Sequence, residues 1–159
     1  MTNEIDAIRE TVLAYVACSE GMNFSGRRKL WDQAENLPIL CPEEAPQPLV
    51  GWDALDKYWS RSRKTMDSLR TKASNIRIRI LGDGLALVTY QSRWIATLAQ
   101  AGHLPEKPIS ADVRMTAVLR KTTDGWRYIH LVEGPVNLMT MARQSAKRSA
   151  LEMFPDLGP

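Results

Sequence analysis

The strongest periodicity in the chain lies in Ser110–Gly134, SADVRMTAVLRKTTDGWRYIHLVEG. Apolar and polar residues alternate along two arms, the two-residue period of a β-strand. Thr123-Asp124-Gly125 between them predicts a tight hairpin turn, because Asp and Gly both tolerate positive φ. On the first arm Asp112, Arg114, Thr116 and Val118 point one way, and Val113, Met115, Ala117 and Leu119 the other. On the second, Trp126, Tyr128, His130 and Val132 alternate with Arg127, Ile129, Leu131 and Glu133. The hairpin is expected to form the middle of a sheet that walls a pocket.

The rest of the chain divides cleanly by period. In Asn3–Ser19, residues Ile5, Ile8, Val12, Tyr15 and Val16 share one helical face. A shorter helix is expected over about Ser25–Asn36, with Leu30 and Trp31 as its apolar contacts, and Leu37–Cys41 reads as a short strand at an edge or with a proline start. Pro42–Pro48, with three prolines in seven residues, is a loop. Beyond Gly51, a third helix runs from Trp52 or Asp53 to about Met66 or Leu69, with Leu55, Tyr58, Trp59 and Met66 inward. Ser74–Leu81 alternates Ile76, Ile78 and Ile80 with Arg77 and Arg79, and Gly82-Asp83-Gly84 turns it into the strand Leu85–Leu98. A loop, Ala99–Pro108, leads into the hairpin, and Val136–Phe154 regains helical character. Apart from that tail, everything helical precedes everything clearly extended. That order predicts an α+β layer structure with a four-strand antiparallel meander and a short extra edge strand.

The totals set bounds. The chain has 159 residues, 44% hydrophobic and 25% charged, with a formal net charge of +3. That suits one soluble globular domain. No apolar run approaches the roughly 20 residues that span a bilayer, and the acidic start MTNEIDAIRE is not a secretory signal. Two cysteines, Cys18 and Cys41, lack metal-ligand spacing and fit a reduced cytoplasm. Basic residues gather in Arg27-Arg28-Lys29, Lys57–Lys72 and Arg143–Arg148. Each run falls on an expected helix or turn whose solvated face carries charge anyway, so neither nucleic acid nor a membrane is the expected partner.

Four segments then carry a likeness: YVACSEGMN at Tyr15–Asn23, GWDALDKYW at Gly51–Trp59, GDGLALVTY at Gly82–Tyr90 and TAVLRKTTDGWRYIH at Thr116–His130. In this order and spacing, from about Asp6 to Gly134, the chain resembles the nuclear-transport-factor-2-like superfamily, including SnoaL-like and ketosteroid-isomerase-like proteins. The resemblance implies a cone-shaped domain over residues 1–134, a curved antiparallel sheet wrapped by three N-terminal helices around a deep cavity. It also implies a homodimer through the outer sheet face; a C-terminal helical extension is expected over residues 135–159. Tyr15 stands where ketosteroid isomerases keep an oxyanion-donating tyrosine. Cys41 or Pro42 replaces their basic aspartate, and Thr116 their second one, so steroid isomerisation does not carry over. Of the polar set of kinase association domains only His130 remains, with Val132, Gly134 and Ala117 at the other places.

The resemblance places Arg114, Thr116 and Val118 on the concave face beside Ile129, Leu131 and Glu133, with Tyr15, Trp31 and Trp59 closing the other side. An apolar, aromatic cavity with few polar groups is the make-up of a small-molecule site. The expected roles are a Tyr15 hydroxyl donated to a substrate oxygen, Arg114 stabilising negative charge and Glu133 moving a proton. Trp31, Cys41, Trp59, Thr116, Val118, Ile129 and Leu131 would shape the site for an unknown small apolar ligand. Neither cofactor nor metal is called for. Tyr15 reads equally as core, and Arg114 with Glu133 as a structural ion pair. His130 is expected outside with Trp126 and Tyr128. Two functions follow: a SnoaL-like small-molecule protein, as isomerase, dehydratase, cyclase or hydratase, or a non-catalytic dimeric assembly module.

Overall fold

The computed structural model describes residues 3–99 and 108–136. Helix α1 (Glu4–Ala17) is capped by Asn3, whose side chain accepts from the Ile5 amide, and buries Ile8, Val12, Tyr15 and Val16. A 3-10 turn at Glu20–Met22 leads to the short helix α2 (Phe24–Lys29). The Asn23 side chain caps α2 by accepting from the Gly26 amide at 2.9 Å. A Cβ on residue 26 would meet that side chain at 2.5 Å and displace the cap, so glycine preserves it. Helix α2 is thus shorter than the hydrophobic pattern suggests. Residues 30–32 leave it to run beside the last strand, with Tyr128 donating to the Leu30 carbonyl and Asp32 to that of Tyr128.

Strands β1 (Ile39–Cys41) and β2 (Leu49–Val50) precede α3 (Trp52–Thr65), and β3 (Met66–Gly82), β4 (Leu85–Leu98), β5 (Ile109–Thr122) and β6 (Gly125–Pro135) complete the sheet. The order is β2-β1-β6-β5-β4-β3, antiparallel except for β1 against β6. The sequence pattern misses β2 and therefore puts β1 at an edge; β1 lies between β2 and β6. It also starts β3 eight residues late. Met66–Ala73 is too polar to alternate clearly, yet it pairs with Ser92–Leu98 on β4. Among the described residues no helix is long and apolar enough to cross a membrane. The expected tail helix falls, from residue 137, outside the described residues.

Two of the register shifts bear on which side chains face inward. At Asn75, with φ of 53°, the β3–β4 register shifts between Ser74 and Arg77. On β6, Leu119 pairs with Tyr128 but Val118 with His130, which leaves Ile129 as the extra residue of a bulge. A bulge reverses the alternation beyond it. Trp126 and Tyr128 therefore face inward on one side of Ile129, and Leu131 and Glu133 on the other. In the turn, Thr122 pairs with Gly125, and positive φ falls on Gly125 alone, not on Asp124.

This corrects the expected faces of the hairpin. The inner side of β5 is Val113, Met115, Ala117 and Leu119, all buried. Arg114 and Thr116 are exposed, and Val118 pairs outward with His130. The simplest rule gives this phase, since the apolar half of an alternating strand goes to the core. Trp126 and Tyr128 are core as well, and His130 alone of that trio lies on the outer side. The outer face carries Arg70, Lys72, Arg77, Arg79, Arg93 and Arg114, with Asp112 paired to Arg93.

Candidate functional site

Between the helices and the inner sheet face lies a pocket of about 850 Å³. Helix α1 supplies Tyr15 and Val16, α2 Phe24 and Arg27, and α3 Tyr58, Ser62 and Thr65. The sheet supplies Tyr90, Ser92, Trp94, Ala96 and Leu98 from β4, Val113 and Met115 from β5, and Glu133 from β6. The β1–β2 loop adds Glu43 and Glu44. Two aromatic donors fix that loop: Trp94 Nε1 donates to Glu43 at 2.8 Å and the Tyr58 hydroxyl to Glu44 at 2.7 Å. Residues 90, 92, 94 and 96 line it because they share one face of a strand.

Glu133 is the central acid. Burial pushes its carboxyl up to about 7. Arg27 opposes that rise, whereas the nearby Glu44 and Glu43 carboxylates add to it. A carboxyl near neutrality can give or take a proton at physiological pH, the property general acid–base chemistry needs. Tyr15 stays a neutral donor: burial raises it to about 12, against the lowering influence of Arg27. The guanidinium of Arg27 lies 4.8 Å from the Tyr15 ring centroid and 5.5 Å from that of Phe24. It also donates to the Ser19 hydroxyl. Burial raises Glu43 too, moderated by the bond from Trp94.

Of the residues singled out in the sequence, the pocket brings together Tyr15 and Glu133 and no others. Arg114 and Thr116 are exposed on the opposite side of the sheet, and Val118 faces the same way. Trp31 and Trp59 are core, with ring centroids 6.2 Å apart, and Leu131 is fully buried in the same core. Cys41, half-buried on β1, and Ile129, at the bulge, lie outside the lining. The pocket recruits instead Arg27, Glu43, Glu44, Tyr58, Tyr90 and Trp94. The alternation Tyr90, Ser92, Trp94 could have revealed the β4 members. Nothing local marks Arg27, which sits in a basic run that reads as solvated.

A curved, mostly antiparallel sheet with its helices N-terminal and a pocket between them defines a protein of the nuclear-transport-factor-2-like superfamily. Residues 8–136 match the SnoaL-like domain, and the chain belongs to that family. Solved structures share the fold. An NTF2-like family protein from Streptomyces avermitilis, provisionally named a dehydratase, aligns with a TM-score of 0.73 at 18% identity, over 84% of this chain and 97% of that one. A ketosteroid isomerase-like protein from Erwinia carotovora atroseptica aligns at 0.69 and 14%, covering 86% and 98%. A hexachlorocyclohexane dehydrochlorinase aligns at 0.67 and 9%, covering 82% and 83%. A search of the curated proteins by sequence finds no significant match.

Proposed function

We propose that this SnoaL-like protein binds an apolar small molecule in the pocket and moves a proton on it, as an isomerase, dehydratase, cyclase or hydratase does, in the reduced setting of the cytoplasm. The observation that carries this reading is the half-buried Glu133, whose carboxyl lines an aromatic and aliphatic pocket and is pushed up to about 7 by desolvation there. Glu133 abstracts or returns the proton, while the Tyr15 hydroxyl and the Arg27 guanidinium stabilise charge on a substrate oxygen. Arg27 takes the part that Arg114 cannot play from the outer face. These groups come from the chain itself and call for no cofactor. Three structural neighbours whose names invoke elimination or isomerisation are in keeping with proton-transfer chemistry.

Hydrogen–deuterium exchange on surrogate substrates tests it. Apolar ketones, esters and phenols of about 10–25 heavy atoms, a size suited to such a pocket, are incubated with the protein in D2O and followed by proton NMR. Enzyme-dependent exchange α to a carbonyl or on a ring should appear for some of them, rise with an apparent pKa near 7, and vanish in Glu133→Gln. Exchange that persists in Glu133→Gln would remove the central role assigned to that residue.

A further inference from the structure

We infer that the ligand of this pocket is an apolar monocarboxylic acid, held with its carboxylate against the Arg27 guanidinium and its hydrocarbon body along the aromatic and aliphatic walls. The inference rests on the reading of the pocket as a ligand site and adds a substrate class to it.

The reason is an uncompensated cation. Of the other half-buried arginines, Arg28 meets Asp56, Arg120 holds both Asp32 at 2.9 Å and Glu35 at 3.0 Å, and Arg127 donates to the Trp126 and Asp124 carbonyls. Arg27 has only neutral company, the Ser19 hydroxyl and the faces of Tyr15 and Phe24. Among the described residues no carboxylate reaches ion-pair distance of it, and its Nε is buried without a partner. A guanidinium withdrawn from water without a counter-ion is costly, and a planar carboxylate is its best-matched partner. The acids of the pocket do not fill the place. Glu43 and Glu44 are engaged by Trp94 and Tyr58. Glu133 lies beyond ion-pair range and is held close to neutrality by its surroundings. Glu44 is exposed on the solvent side, where its charge disfavours a second anionic group, so one carboxylate is specified and not two.

A carboxylate seated there also meets Glu133 as a like charge. The groups facing Glu133 are Tyr15 from α1, Arg27 from α2, Tyr58 from α3, Tyr90 from β4, and Glu43 and Glu44 from the loop. Asp112 on β5 is held by Arg93. Only Arg27 is positive, so binding an anion favours protonated Glu133. Proton uptake should accompany binding, approaching about one proton per ligand at pH 8, and affinity should fall up to about tenfold per pH unit above pH 7.

Isothermal titration of the full chain with 2-naphthoate and decanoate, each beside its primary amide, tests the inference in two buffers of different ionisation heat. The acid should bind about 10- to 150-fold tighter than its amide, the worth of hydrogen bonds to a charged group. It should also take up protons. In Arg27→Gln that preference should disappear, and in Arg27→Lys it should survive in reduced form; the acid–amide comparison on the unaltered protein stands even where a variant does not fold. Amides that bind as tightly as the acids, or an acid preference unchanged in Arg27→Gln, would overturn the inference while leaving the proton-transfer reading intact. If neither acids nor amides bind, the ligand reading of the pocket falls with it.

Discussion

Replacing Glu133 with glutamine tests the site through stability as well as through activity. In the folded chain its carboxyl titrates at about 7, against an ordinary value of 4.5. One pKa unit corresponds to about 1.4 kcal/mol, so ionising Glu133 in place costs up to about 3 kcal/mol relative to the unfolded chain. Its pocket-facing oxygens keep part of their hydration, which makes that figure a ceiling. Because an acid's folded pKa is raised, the unfolded chain loses its proton first. The penalty is absent below about pH 4.5, grows as pH rises to 7 and is constant above. Glutamine has nearly the same volume and never ionises. Glu133→Gln should therefore be the more stable protein at pH 8, by up to about 3 kcal/mol, and match the original within about 1 kcal/mol at pH 4.5. For a domain of this size each kcal/mol is about 2–4 °C in Tm. Urea denaturation of both proteins in parallel across this pH range reads the difference, in which the titrations of acids remote from Glu133 cancel. A stability difference that stays flat with pH, or an original protein more stable at pH 8, would refute the half-buried, raised-pKa description of Glu133.

Three further outcomes follow from the packing. Thr116→Arg should cost less than about 0.5 kcal/mol in chemical denaturation, because residue 116 is exposed, whereas Ala117→Arg one position along puts a charge into the core and should cost more than about 4 kcal/mol; equal effects would return the hairpin to the opposite phase. Trp31→Ala, at a side chain with no solvent exposure that contacts both Trp59 and Tyr128, should lose about 3–5 kcal/mol by the same measurement. Homodimerisation through the outer face, the expectation carried by the family likeness, would set Arg77, Arg79 and Arg114 near their copies. Such a dimer should tighten in sedimentation velocity as salt rises from about 0.05 to 0.5 M, since screening relieves like-charge repulsion; weakening with salt would argue against that face.

How legible the protein is depends on the range of the interaction concerned. The order of the main elements, the inward face of α1, the α3 face of Leu55 and Trp59, and the Gly82–Gly84 and Gly125 turns are written in spacings of two to four residues, and the sequence determines them alone. The SnoaL-like class follows from their order. Tyr15 and Glu133 follow from the family likeness, which places both at the cavity. What alternation cannot show is a bulge. The extra residue Ile129 reverses the pattern halfway along β6, so Trp126, Tyr128, Leu131 and Glu133 reach one interior by two phases. The tertiary structure alone decides the company of Arg27. A residue inside a basic run becomes a pocket cation because Asn23 and Gly26 set the short helix that turns it onto Tyr15. Glu43 and Glu44 join the same pocket through Trp94 and Tyr58, 51 and 14 residues away. Short-range patterning chose the elements; burial and charge, which act through space between distant segments, chose the site.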